Sequence, residues 1–307
     1  MEFFKRVTHI DFLGYRWFWL ILSIALTVLS VVGIAVRGLN FSIDYTGGVV
    51  VEASYQEPID LVPLREAFVH AGYEGATLQY YGTTKDVLVR LPPSEDISSE
   101  VIRERVSKVL GDKATIRRLE LVGPQVGKEL ANNGGLAFFL AVIGILVYTA
   151  MRFEFKYAVG AVAALLHDIV TTLGVLAWFQ ISFDLPALAA ILTVLGYSIN
   201  DTIVIFDRIR ENFGKQRKPV PIEVMNLSIN ETLSRSVITH GVTLLSVLSL
   251  LFLGGEVLRS FSVALTFGII FGTYSSIYIA SALALMMGVS KESLASTKLE
   301  DKPKAQV

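Results

Sequence analysis

The chain has no cysteine in its 307 residues, which excludes disulfides, thiol chemistry and zinc–thiolate sites. Histidine is scarce as well: the four, at positions 9, 70, 167 and 240, lie too far apart in sequence to suggest a metal site. Charge is sparse at 18%, against the roughly one quarter usual in soluble domains. A net charge of −1 argues against nucleic acid as a partner, because phosphate binding needs a concentrated basic surface. No Gly-x-x-x-x-Gly-Lys-[Ser/Thr] loop occurs, which removes that route to ATP hydrolysis. What fills the chain is apolar: 52% of residues are hydrophobic and the mean hydropathy is +0.55. That balance points to lipid.

The apolar runs predict six membrane spans, over Trp17–Val36, Gly135–Met151, Tyr157–Phe179, Leu185–Phe206, Val237–Gly254 and Phe261–Met287. The first is about the 20 residues a helix needs to cross the hydrocarbon core, too long for the apolar part of a signal peptide. It is read as a retained span. Lysine and arginine concentrate before span 1, between spans 2 and 3, between spans 4 and 5, and after span 6. The opposite short loops hold only Arg259. Both termini are therefore expected in the cytoplasm of a cell whose inner membrane the chain crosses, and the long first loop is expected to be periplasmic.

That loop has its own periodicity. Val49–Tyr55 reads as a strand and Leu61–Ala71 as a helix introduced by Pro58 and Pro63. Thr77–Tyr81 and Asp86–Leu91 read as strands joined by a turn over residues 82–85. Ser98 and Ser99 with Glu100 can cap a helix over Val101–Leu110, and Thr115–Val122 reads as a last strand. The order β-α-β-β-α-β predicts a small α+β ferredoxin-like domain. The expected division is 1–36 for the cytoplasmic N-terminus and span 1, 37–134 for that domain, 135–287 for spans 2 to 6, and 288–307 for a polar, disordered cytoplasmic tail. Pro219 and Pro221 open a further amphipathic stretch, about 219–233, expected to lie as an interfacial helix on the cytoplasmic surface.

Charge inside a span is costly and marks candidate functional residues. Span 3 contains His167 and Asp168; span 4 contains Asn200 and Asp201. At about 1.5 Å per residue, Asp201 lies roughly 9 Å inside the core and Asp168 roughly 16 Å. The short connection makes spans 3 and 4 antiparallel neighbours, so one polar pocket could hold both acids. A carboxyl group so placed is a candidate to bind and release protons, with Arg235 and His240 at the cytoplasmic end of span 5 as partners. The bland alternatives are a static clasp between Asp201 and Asn200, a local pair between Asp168 and His167, a snorkelling Arg235 and a merely satisfied His240. In span 6, Ala264, Gly268, Gly272, Ser276, Ala280, Ala284 and Gly288 recur every fourth residue, a ridge suited to close packing within the chain or against a partner. A membrane aspartyl protease is set aside, because neither aspartate has the glycine-flanked setting those enzymes use.

Several motifs together resemble the SecF side of the bacterial SecD/SecF protein-export family. They are Asn40-Phe41-Ser42-Ile43-Asp44-Tyr45-Thr46-Gly47-Gly48, Val122-Gly123-Pro124-Gln125-Val126-Gly127, Leu166-His167-Asp168 and Gly196-Tyr197-Ser198-Ile199-Asn200-Asp201-Thr202, followed by the runs 207–212 and 230–236. The resemblance covers nearly the whole chain apart from the tail. It implies a non-enzymatic subunit that pairs with SecD and assists the SecYEG channel, with YajC a further associate and unfolded translocating chains as substrate. It implies protons as coupling ion and no cofactor, with Asp201 as proton carrier and Arg235 as its switching partner. Asp44, Gly47, Gly48, Gly123, Pro124 and Gly127 are implied as motif residues, the segments 38–48 and 123–127 tethering a domain that swings. The rival readings are a proton-driven small-molecule exporter of the same superfamily, whose members usually carry two large periplasmic domains, and a non-energised structural subunit.

Overall fold

Helix-length apolar runs and short alternating strands sort the chain into two units in the computed structural model, which describes residues 8–93 and 99–290. Ser98, the N-terminal residues 1–7 and the tail from Lys291 lie outside the described residues. Among the described residues, one unit takes those up to Asn40, Phe138–Ile181 and those from Pro186 on; the other takes those within Phe41–Ala137 together with Ser182–Leu185.

The helical unit is built on six helices long and apolar enough to cross a membrane. They are α1 (Arg16–Arg37), then α5 (Pro124–Arg152), α6 (Phe155–Trp178), α7 (Leu185–Lys215) and α8 (Pro221–Leu253). The last runs as α9 (Arg259–Ser275), a π-helical turn over Ser276–Ala280, and α10 (Ser281–Met286). The chain is a multi-pass membrane protein. α6, α7 and the last span bury half or more of their apolar stretch, whereas α1, α5 and α8 bury under a fifth of theirs. Close approach follows the small residues. A Cβ on Gly160 would meet the Ala280 carbonyl oxygen at 2.5 Å, one on Gly268 would overlap Val194, and one on Gly272 would come 3.2 Å from Ser198. The span 6 ridge therefore packs inside the chain, except at exposed Gly288.

The second unit carries the expected strand–helix order. Its elements are β2 (Gly48–Tyr55), α3 (Leu61–His70), β3 (Thr77–Tyr81), β4 (Thr83–Leu91), α4 (Ser99–Leu110) and β5 (Ala114–Val122). They are preceded by β1 (Asn40–Phe41) and the single turn α2 (Ile43–Thr46). The four-stranded sheet is antiparallel with order β3-β4-β2-β5. Alternation along β2 sends Val49, Val51, Ala53 and Tyr55 inward against Leu64 and Phe68 of α3 and Ile102, Val106 and Leu110 of α4. The start of α3 is fixed by Asp60, whose carboxylate accepts the Val62 N–H at 2.9 Å.

Three expectations differ from the structure. Residues 219–233 are not a separate interfacial helix: α8 runs unbroken for 33 residues from Pro221. No breaker separates the two stretches, and Val224, Met225 and Ile229 are buried in the chain's own core beside Phe12 and Leu13 rather than left for lipid. The second tether also shrinks. Proline favours the first helical turn, so α5 begins at Pro124 and takes Gly127 into the helix. Finally, the connection between α6 and α7 forms a short strand, β6 (Ser182–Phe183), paired with β1.

Candidate functional site

The buried acids lie in the helical unit, each held by hydroxyls from neighbouring helices. Asp168 of α6 is fully buried. Its Oδ2 accepts from Ser198 Oγ of α7 at 2.6 Å and from Ser275 Oγ of α9 at 2.8 Å, and its Oδ1 lies 3.2 Å from His167 Nδ1. Asp201 of α7 is 4% exposed. Its Oδ1 accepts from Ser236 Oγ of α8 at 2.6 Å, while Oδ2 is buried without a hydrogen-bond partner. The two acids share no hydrogen-bond partner, so the structure resolves the single expected pocket into two polar clusters. Next to the Asp168 cluster, Thr202 Oγ1 and Ser276 Oγ are 2.8 Å apart, and Ser276 Oγ donates to the Ser198 backbone carbonyl at 3.3 Å. Ser276 opens the π-helical turn, a distortion that often accompanies function in membrane helices.

The expected partners are arranged differently. Arg235 is exposed, and among the described residues no ion pair joins it to Asp201. Asn200 is exposed, and Ser236 rather than Asn200 supplies the hydrogen bond to Asp201. His240 is buried, with Nδ1 2.7 Å from Thr273 Oγ1 and its ring 5.6 Å from that of Tyr197.

Below these acids, the motif runs 207–212 and 230–236 meet. Arg208 Nε donates to Glu231 Oε2 at 2.6 Å, and Asn212 Nδ2 donates to the same oxygen at 2.7 Å. Arg152 of α5 pairs with Asp207 at 2.6 Å. Asn230 clasps the chain ahead of α1: its Oδ1 accepts from Ile10 N at 2.9 Å and its Nδ2 donates to Ile10 O at 2.8 Å. Asn226 repeats this at Leu13 N, 3.0 Å away. Sequence reasoning passed over Ser236, Ser198 and Ser275 as ligands of the acids, because a serine in a membrane helix carries no signal until its neighbour is known.

In the other unit, the glycine pair organises a tight junction. Gly47 and Gly48 have φ of +70° and +122°. A Cβ on Gly48 would lie 2.5 Å from Leu91 O, and one on Gly127 would lie 2.8 Å from Gly47 N, so the start of α5 sits directly on the motif. Gly47 is tight but less so, its Cβ position 3.1 Å from Pro124 Cα, whereas Gly123 has open space around it. Asp44 Oδ2 accepts the Leu185 N–H, the first of α7, at 3.0 Å. Tyr45 stacks on Phe183 with ring centroids 5.5 Å apart. Burial, then the charges of Asp44 and Asp184, pushes the Tyr45 phenol up to about 12.

Fold and site together define a polytopic α-helical membrane protein with acids held between its own helices and a ferredoxin-like domain inserted after the first span. The family description "Protein export membrane protein SecD/SecF, C-terminal" matches residues 102–290, and "SecD/SecF GG Motif" matches residues 32–59. A protein translocase subunit SecF of Vibrio alginolyticus is 44% identical over 97% of this chain and 96% of its own. That of Pseudomonas aeruginosa is 43% identical over 96% and 97%. Among solved structures, the crystal structure of SecDF, a translocon-associated membrane protein from Thermus thermophilus, aligns with a TM-score of 0.83 at 37% identity. It covers 91% of this chain but 39% of the SecDF chain, so this chain spans about two fifths of that protein. SecDF in a super-membrane-facing form aligns with a TM-score of 0.69 at 36% identity. The chain belongs to the SecD/SecF family of protein-export membrane proteins, on its SecF side.

Proposed function

We propose that the chain pairs with a SecD subunit in the inner membrane and uses the proton-motive force to promote protein export, with Asp201 as proton carrier. The observation that carries this reading is the half-satisfied carboxyl group. Oδ1 holds Ser236, and Oδ2 is enclosed with no donor. A buried acceptor left unmet is costly, so such a site persists where a proton or a second donor is taken up in turn. Arg235 directly precedes Ser236 on α8, so rotation of α8 about its axis exchanges a neutral donor for a cationic one. Protonation removes the attraction and lets the helix return. One proton falling through 100 mV releases about 2.3 kcal/mol, which biases a two-state element roughly fifty-fold.

The remaining assignments rest on charge and family. Lysine and arginine in the short loops support cytoplasmic termini and a periplasmic ferredoxin-like domain. The Thermus relative unites SecD and SecF in one chain, which supports SecD as the missing part here. SecYEG, YajC and unfolded translocating chains are the further partners proposed. Protons are the coupling ion, with no cofactor and no catalysed reaction. Relatives named as translocase subunits weigh against a small-molecule exporter. The reading of Asp168 as a local pair with His167 or a neighbouring helix is favoured, because its carboxylate already meets two hydroxyls and His167.

Asp201→Asn tests the proposal, because it keeps shape and hydrogen-bonding capacity but cannot ionise. Gradient-stimulated export in inverted membrane vesicles should disappear while ATP-driven export and partner binding continue. Full gradient stimulation with Asn in place would overturn the proton-carrier role.

A further inference from the structure

The segment between α6 and α7 is held by the glycine-pair motif rather than left as a free loop. Ser42 N–H donates to Phe183 O at 2.9 Å, Arg90 Nη2 donates to Ser182 Oγ at 2.6 Å, and Tyr45 stacks on Phe183. Those contacts fix the short strand. Asp44 reaches the helix that follows, accepting the Leu185 N–H at 3.0 Å. The Leu185 amide is one of the first-turn donors of α7 that has no acceptor within the helix, and residue 186, a proline, has no N–H to offer. A carboxylate there satisfies it and favours the positive end of the helix dipole. α7 then runs without a break through Ser198, the ligand of Asp168, to Asp201 itself.

We propose that Asp44 is a positioning residue that ties the ferredoxin-like domain to α7, so that a change at Asp201 is transmitted along this helix to the domain. The proposal rests on the proton-carrier reading of Asp201 given above. Asp44 touches neither proton nor substrate. It acts by making the first turn of α7 part of the domain's own hydrogen-bond network, so the helix cannot rotate or slide without carrying the motif. The same motif seats the start of α5 through Gly47 and Gly127, so one short loop holds the origins of two spans.

Hydrogen exchange on the full chain with SecD in lipid nanodiscs tests this. In the otherwise unchanged chain, Asp201→Asn should alter protection of amides in β2 and β4. Adding Asp44→Ala should largely abolish that response and speed exchange at Leu185 about fivefold, the factor one helix cap is worth. Asp44→Asn, whose amide oxygen can still accept the Leu185 N–H, should restore the response, which a purely charge-based role would not do. An Asp44→Ala chain whose domain answers Asp201→Asn in full overturns the proposal and leaves the proton reading standing. Loss of protection throughout the sheet on Asp44→Ala also overturns it, because Asp44 would then hold the fold rather than couple it. If Asp201→Asn moves no domain amide in the otherwise unchanged chain, both readings fall.

Discussion

Two glycines of the ferredoxin-like domain share a positive φ yet answer different demands. Gly48, at φ +122°, has the Leu91 carbonyl oxygen 2.5 Å from where a Cβ would stand; Gly111, at φ +80°, has nothing within 4 Å. The first position is closed by both backbone and space, the second by backbone alone. Gly48→Ala should therefore destabilise the domain by about 3 kcal/mol and Gly111→Ala by about 1 kcal/mol, read from exchange of β2 and β4 amides in the full chain. Equal effects would show that the contact with Leu91 is relieved by movement of the strand. At this scale the sequence announces some residues and hides others. Asp168 and Asp201 stand out because a carboxyl group in an apolar run has a cost that must be met. Ser198, Ser236 and Ser275, which meet it, do not stand out, because a serine can satisfy its hydroxyl on its own helix and sits unnoticed in any span.

The continuous α8 carries one such hidden element function, since its first turns grip the segment ahead of α1. Asn230 pairs with both backbone groups of Ile10, and Thr8 Oγ1 donates to its Oδ1 at 2.6 Å. Asn230→Ala should release this segment at a cost of about 2 kcal/mol. Because the chain has no cysteine, a single cysteine introduced at His9 reports the release as faster thiol labelling. Unchanged labelling would mean that Phe12 and Leu13, buried in the core, hold the segment alone. The β3–β4 hairpin offers a pH counterpart. Hydrogen bonds from Thr83 and Ser54 hold the Asp86 carboxyl below its ordinary range, helped by Arg117 and Lys85. A lowered folded pKa adds stability above the unfolded value, about 3.9, and loses it as pH falls through the folded value. Thr83→Val should therefore weaken hairpin protection at neutral pH and matter little once the acid is protonated. The strand alternation that built this domain was legible in sequence. The boundary of α8 was not, because two adjoining amphipathic stretches read alike whether or not a helix runs through them.

Taken as a whole, the molecule is asymmetric in what it leaves uncovered. α6, α7 and the last span bury at least half of their apolar stretch in their own chain, whereas α1, α5 and α8 bury under a fifth of theirs and expose large apolar side chains such as Trp17, Phe139 and Leu245. Outward apolar faces on transmembrane helices are met by lipid or by another span, and neither choice alters which way the helices thread the membrane. Threading is decided by the loops. The segment between α7 and α8 contains Arg217 and Lys218 beside Lys215, and that between α5 and α6 is flanked by Arg152 and Lys156. Such loops resist translocation, which supports the proposed placement of the long α1–α5 connection on the opposite side, since a long loop can cross regardless of its charge. A cysteine introduced at Asp112, in the turn between α4 and β5, should react with a membrane-impermeant thiol reagent in intact spheroplasts. One introduced at Arg217 should react only after the membrane is opened. The reverse pattern would place the ferredoxin-like domain in the cytoplasm, where it could not draw a chain outward. Coupling of the proton-motive force to export would then lose its geometry even with Asp201 intact.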